Sequence, residues 1–310
     1  LPFRSRFLDL TTMSRLARMR FHTRHTVEGA RMGRHAAQRP GGAAEFADYR
    51  EYAPGDDLRK LDWKVLGRLG RAVLRTYRDE TRMRATLVLD ASGSMLFGAR
   101  SLVTAGTPHP PEETEGSKLD FARHLLASLA FVIATAADEV GLAVVADKLD
   151  TFLPPGAAPT HLRAFLDRLE RVQTQPGTRL SRGLTELFPR LTQRGVLVLV
   201  SDFLDDDLEA VRAALRRFRH RHFEIVCLHV LHPGEVQLPE ERACRFTGLE
   251  GEPELVTDPR GIAERYAARF GAFVDSVKAM ALASGCDYQR AMTDAGHLRA
   301  LEGLLAHGDA

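Results

Sequence analysis

Five oxygen-bearing side chains have the types and positions that hold a hard metal ion. Asp90, Ser92 and Ser94 form an Asp-x-Ser-x-Ser loop directly after the apolar run Ala85-Thr86-Leu87-Val88-Leu89. A short buried strand that ends in one carboxylate and two hydroxyls offers three hard oxygen donors on a single loop. Such donors suit Mg²⁺, Mn²⁺ or another hard divalent cation rather than Zn²⁺. Thr178, within Pro176-Gly177-Thr178-Arg179-Leu180, supplies a further hydroxyl ahead of a helix. Asp202 repeats the strand-then-carboxylate pattern at the end of Val196-Leu197-Val198-Leu199-Val200-Ser201. The expected ligand set is therefore Asp90, Ser92, Ser94, Thr178 and Asp202. A plainer reading has Ser92, Ser94 and Thr178 capping helices and turns. One loop alone favours that reading. The five together favour a metal, because such groups tolerate burial poorly when unpaired.

The elements that must position these residues are legible from hydrophobic periodicity. From Ala85 onward, strands and helices alternate. Strands are expected at 87–89, 141–145, 196–200 and 223–231, and a short extended segment at 287–291. Helices are expected at 119–137, 160–169, 180–191, 208–218, 261–284 and 295–305, and a hairpin at 243–256. Phe121, Leu125, Leu129, Val132 and Ile133 recur at helical spacing in the first of these helices. The run 196–200 is apolar throughout, as a strand covered on both faces is. The pattern predicts an α/β fold, a doubly wound and mostly parallel sheet. Ligands of such sheets bind beyond the carboxyl ends of the strands, where Asp90 and Asp202 both lie. Residues 95–116, rich in Gly, Pro and Glu, read as a surface loop on the rim of that site.

Three zones precede or contain this pattern: a basic arm over 1–40, a mixed β-rich segment over 41–84, and the α/β domain over 85–310. The arm carries nine arginines against Asp9 and Glu28. It reads as a solvated helix, and with no interleaved aromatic motif no nucleic-acid partner is expected. The second zone has a turn at 54–57 and a strand at 73–77. Phe46, Tyr49, Tyr52 and Trp63 are its expected apolar anchors.

A formal net charge of +2 over 310 residues is too small to argue for nucleic acid or a membrane surface, and the uneven charge leaves the basic arm as the one segment that could touch an acidic partner, lipid or RNA. The three cysteines, Cys227, Cys244 and Cys286, are widely spaced and form no Cys-x-x-Cys. That usage suits reduced thiols and a cytoplasmic location. No apolar run approaches the length that spans a bilayer, so no transmembrane segment is expected. There is no Gly-x-Ser-x-Gly, no His-Glu-x-x-His and no Gly-x-x-x-x-Gly-Lys. His220, His222, His229 and His232 flank one strand without a ligand spacing of the zinc type. No catalytic residue is identified, and the chain reads as a non-enzyme.

The order Asp90, Ser92, Ser94, Thr178, Asp202 resembles the metal-ion-dependent adhesion site of von Willebrand factor A-type domains. Pro176 and Phe203 stand where that pattern often has Gly. The stretch from Gly42 to Tyr52, followed by Pro54-Gly55-Asp56-Asp57-Leu58-Arg59-Lys60-Leu61-Asp62-Trp63, is similar to the signature of the bacterial domain-of-unknown-function family 58. Thr257-Asp258-Pro259, Tyr266 and the long helix after them add to the likeness. The resemblance implies a von Willebrand factor A-like, Rossmann-like domain behind a small N-terminal extension. It also implies a MoxR-type AAA+ ATPase as partner, and a role in maturation or assembly of other proteins. Two functions fit the residues. One is a metal-dependent protein-binding module in which a partner's Asp or Glu completes the metal's coordination. The other is a Mg²⁺- or Mn²⁺-dependent hydrolase or phosphatase on a similar sheet, with Asp205 to Asp207 as candidates for an added carboxylate.

Overall fold

A computed structural model describes residues 5–21, 45–53, 56, 61–78, 82–99, 113–177 and 179–306. The chain forms two units, one of Leu1–Thr26 with Met83–Ala310 and one of Val27–Arg82.

The first helix, α1 (Leu10–Leu16), belongs to the larger unit and is capped by Asp9, which accepts the Thr12 N–H at 2.6 Å. Phe7, Leu8 and Leu16 are buried in the larger unit's core, and Arg6 pairs with Asp120 at 3.3 Å. This part of the arm is therefore packed, where the sequence predicts a solvated helix. Three apolar residues, rather than the arginines around them, decide its place. The rest of the arm, beyond residue 21, lies outside the described residues.

The smaller unit pairs β1 (Glu45–Glu51) antiparallel with a later strand and places α2 (Trp63–Leu69) between them in sequence. The later strand, β2 (Val73–Arg78), covers the expected 73–77. Asp62 caps α2 by accepting the Lys64 and Val65 N–H groups, and it also bonds the Tyr49 hydroxyl at 3.2 Å. Among the described residues of this unit, the buried apolar side chains are Leu61, Val73 and Leu74. Tyr49 and Trp63, expected as anchors, are 45% and 63% exposed, and Trp63 is the first residue of α2.

In the larger unit the elements follow in order: β3 (Arg84–Asp90), α3 (Lys118–Thr135), β4 (Glu139–Val145), β5 (Leu149–Gly156), α4 (Pro159–Glu170), α5 (Leu180–Leu187), β6 (Val196–Ser201), α6 (Leu208–His220), β7 (Glu224–Leu231), α7 (Pro233–Val236), β8 (Cys244–Phe246), β9 (Leu255–Thr257), α8 (Ala263–Ala283), β10 (Asp287–Met292) and α9 (His297–Ala306). Six strands form one sheet in the order β10-β7-β6-β3-β4-β5. Every pairing is parallel except β4 with β5. β5 escapes the sequence reading because Pro154 and Pro155 demote its pattern. Its edge position, where a missing N–H is tolerated, is where such a strand belongs.

Side-chain alternation divides the sheet between two cores. Leu87, Leu89, Val198 and Val200 face one way and pack with α3, α4, α9 and α1. Val88, Leu197 and Leu199 face the other and pack with α5, α6 and α8. Cys227 and Cys286 are buried in this second core as free thiols. β3 lies between β4 and β6, so the connections leaving β3 and β6 diverge to opposite faces and open a crevice at their carboxyl ends.

β6 can reach its register only because residue 195 lacks a side chain. A Cβ at Gly195 would stand 2.3 Å from the Arg84 carbonyl oxygen. Gly195→Ala is therefore expected to force the start of β6 away from β3. The loss of unfolding free energy should be about 1–3 kcal/mol, as overpacking typically costs. Urea unfolding checks this, and an unchanged midpoint would contradict the close approach.

Candidate functional site

Asp90 ends β3 and its side chain is fully buried. Its Oδ1 accepts the Ser92 N–H at 2.9 Å, and its Oδ2 accepts the Ser201 hydroxyl at 2.5 Å. Ser92 and Ser94 lie on the single 3₁₀ turn that follows, with their Oγ atoms 3.1 Å apart. Asp202 follows the end of β6 and is 1% exposed. Its Oδ1 accepts the Leu204 N–H at 3.1 Å. The structure thus brings together Asp90, Ser92, Ser94 and Asp202. Thr178 lies outside the described residues. The segment ahead of it is held against the Asp90 loop: Gln175 N–H donates to the Ala91 carbonyl at 2.9 Å, and Ser92 bridges to Gln175.

The backbone at Phe203 explains why a glycine is common at this place in the resembling pattern. Phe203 has φ +55°, in the left-handed region that L residues seldom occupy. Its ring is fully buried and meets the His229 ring edge-on at 5.5 Å, and its N–H donates to Ser201 Oγ at 2.8 Å. Packing and a hydrogen bond hold a conformation that a glycine adopts without help.

The sequence reading omitted the group that governs the electrostatics. Lys118, the first residue of α3, is completely buried, and its ammonium lies 2.6 Å from Asp202 Oδ2. The same ammonium contacts Glu235, whose other oxygen accepts the His232 N–H at 3.0 Å. Glu235 is fixed further by the Tyr266 hydroxyl, which donates to its carbonyl at 2.7 Å. Burial disfavours the charged form of Asp202, but the Lys118 ammonium and the hydrogen bonds outweigh it and hold its carboxyl below the usual range. Burial likewise opposes the Lys118 charge, and Asp202 and Glu235 reverse that and raise its pKa. Asp90 has no such cation. Burial and then the neighbouring Asp202 charge push it up to about 7, against hydrogen bonds from Ser201 and Ser92. One faint signal for Lys118 was present. A lysine opening an apolar helix stands at the wrong end of the helix dipole and needs another reason to be there.

A second residue reaches the site from a distance in sequence. Glu250, on the loop between β8 and β9, accepts the Ser94 N–H on Oε1 at 3.0 Å. Of the other acidic candidates, Asp206 is exposed and its two neighbours bond backbone N–H groups. Asp205 accepts the Leu180 and Asp207 N–H groups, and Asp207 caps α6 through Ala210 N–H. His229 bonds the Tyr288 hydroxyl at 2.9 Å, and burial lowers its pKa to about 4. His232 caps α7 by accepting the Gly234 N–H. Among the described residues, no group of three or more His, Cys, Asp and Glu side chains is arranged to hold a metal. The oxygen set around Asp90 has two carboxylates, and hydroxyls make up the rest.

The sheet order and its helical layers make this a von Willebrand factor A-like α/β fold. Solved structures to which the chain is similar include the conserved hypothetical protein BatB from Bacteroides thetaiotaomicron, at 18% identity and TM-score 0.42 over 73% of this chain and 98% of that one. Another is an aerotolerance-related membrane protein from Bacteroides fragilis, at 17% identity and TM-score 0.43 over 73% and 99%. A third is the SpRpn10 VWA domain, at 12% identity and TM-score 0.41 over 71% and 94%. Among the described residues of this chain, no helix is long and apolar enough to cross a membrane. An uncharacterized protein of Mycobacterium tuberculosis, Rv1480, is 27% identical over 217 residues, which cover 69% of this chain. The match spans 63% of that relative's length. A family model described as protein of unknown function DUF58 matches residues 48–270, and the chain belongs to that family.

Proposed function

We propose that the larger unit is a metal-dependent protein-binding module. Asp90, Ser92, Ser94 and Asp202 would hold a hard divalent cation, Mg²⁺ or Mn²⁺, together with Thr178. Bound there, the cation supplies an electrophilic position that an Asp or Glu side chain of a partner protein completes. The observation that carries this reading is the charge balance of the buried cluster. Asp90, Asp202 and Glu235 bring three carboxylates and Lys118 one ammonium. A divalent cation offsets the remaining two negative charges without a proton on Asp90. The Ser92 and Ser94 hydroxyls, 3.1 Å apart beside both aspartates, are neutral donors that keep the cation electron-poor toward an incoming carboxylate.

Lys118 has a positioning role in this reading. It fixes one oxygen of Asp202 and leaves Asp90 as the uncompensated carboxylate. Asp205 and Asp207, which a hydrolase on this sheet would recruit as added carboxylates, are spent on capping backbone N–H groups. The binding reading is favoured for that reason. Its physiological partner would be a MoxR-type AAA+ ATPase, with the pair acting in maturation or assembly of other proteins.

The test is capture of partners from native lysate with tagged protein in Mg²⁺ and in EDTA, alongside Asp90→Ala. The expected result is a partner retained only with Mg²⁺ and intact Asp90, with an AAA+ ATPase among the retained proteins. Capture indifferent to both changes would refute the reading.

A further inference from the structure

The β8–β9 ribbon carries an acidic loop, with Glu250, Glu252 and Glu254 within five residues. Only one of these three reaches the site. Glu250 Oε1 accepts the N–H of Ser94, the same residue whose hydroxyl lies 3.1 Å from that of Ser92. The loop is shaped to deliver it. Leu249 packs against the main core, and the Glu252 carboxylate accepts the Glu250 N–H at 2.9 Å. Glu250 is half-buried, whereas the residues from Gly251 to Val256 are exposed. The loop is seated at Leu249 and Glu250 and exposed beyond them.

We propose that Glu250 is an internal competitor for the acidic side chain of a partner. This rests on the metal-dependent reading above. The chain places one of its own carboxylates against the Ser94 N–H, on the rim of the Asp90–Ser92–Ser94 loop, and in this proposal it takes the position that a partner's Asp or Glu would enter. A partner therefore binds only by displacing the β8–β9 loop. Because the loop is tethered, its effective concentration is high and the closed state dominates. The apparent affinity for any external carboxylate is reduced by the fraction of molecules that are open.

The experiment measures water-proton relaxation by protein-bound Mn²⁺, with acetate as the external carboxylate. It compares the wild-type chain with Glu250→Ala, Glu254→Ala and Asp90→Ala, all checked for folding by circular dichroism. Glu250→Ala is expected to raise the relaxivity of bound Mn²⁺, because a coordination position opens to water. Acetate should lower that relaxivity at about one tenth of the concentration the wild type requires, for a loop about 90% closed. Glu254→Ala should behave as wild type, since Glu254 faces Arg245 at 3.9 Å on the ribbon. Equal relaxivity and equal acetate response in wild type and Glu250→Ala would overturn the proposal while leaving the metal reading intact. So would an equal effect of Glu254→Ala, which would mark loop charge alone as the cause. Failure of the wild type to bind Mn²⁺, or binding unaffected by Asp90→Ala, would overturn both.

Discussion

Lys118→Met is expected to destabilise the fold by about 3–5 kcal/mol, the loss typical of removing one partner from a buried ion cluster. The replacement keeps most of the side chain's volume, so cavity formation contributes little. What remains is Asp202, 1% exposed, and Glu235, 8% exposed, with their cation gone. Each must then protonate or draw in water. Urea unfolding of the metal-free protein measures the loss. Pairing Lys118→Met with Glu235→Gln should recover part of it, because one of the two stranded charges is removed. A loss under about 1 kcal/mol, the range of an exposed pair, would contradict a buried ammonium at this place.

The second large effect concerns Asp90. In the metal-free protein the fold disfavours the ionised form of this carboxylate, through burial and the Asp202 charge. Asp90→Asn removes that repulsion and keeps the side chain's size. It is expected to leave metal-free stability unchanged or raised near neutral pH, which is unusual for a fully buried residue. The same substitution should abolish stabilisation by divalent cation. Wild-type protein at a Mg²⁺ concentration of about 100 Kd gains about 2.7 kcal/mol by mass action, and Asp90→Asn should gain none. Thermal unfolding with Mg²⁺ and with EDTA reads both halves. A variant that is much less stable without metal would mean that Asp90 serves the fold through its bonds to Ser92 and Ser201. Full stabilisation by Mg²⁺ in the variant would remove Asp90 from the ligand set.

How far the sequence foreshadows this site follows from the range of each interaction. Asp90, Ser92, Ser94 and Asp202 are readable because each sits at or just after a strand end, and continuous apolar runs mark strands covered on both faces. The convergence of the two loops follows from the parallel topology alone. Lys118 is readable only as a lysine at the unfavourable end of a helix dipole; such a lysine ordinarily lies in solvent, and only the fold shows α3 bringing it to Asp202. Glu235 and Glu250 belong to segments whose place is set by tertiary packing of a four-residue helix and a short ribbon. β5 was hidden by its two prolines, and the packing of α1 by the arginines around Phe7 and Leu16. Phe203 was noticed as a departure from a common glycine, and its positive φ supplies the reason that glycine is common there.

The oxygen cluster at the ends of β3 and β6 is proposed to bind a hard divalent cation. The most direct test is calorimetric titration of the chelator-treated protein with Mn²⁺, repeated on Asp90→Asn. The account predicts one ion per chain in the wild type and no measurable binding in the variant. No binding by the wild type, or equal binding by the variant, would contradict it.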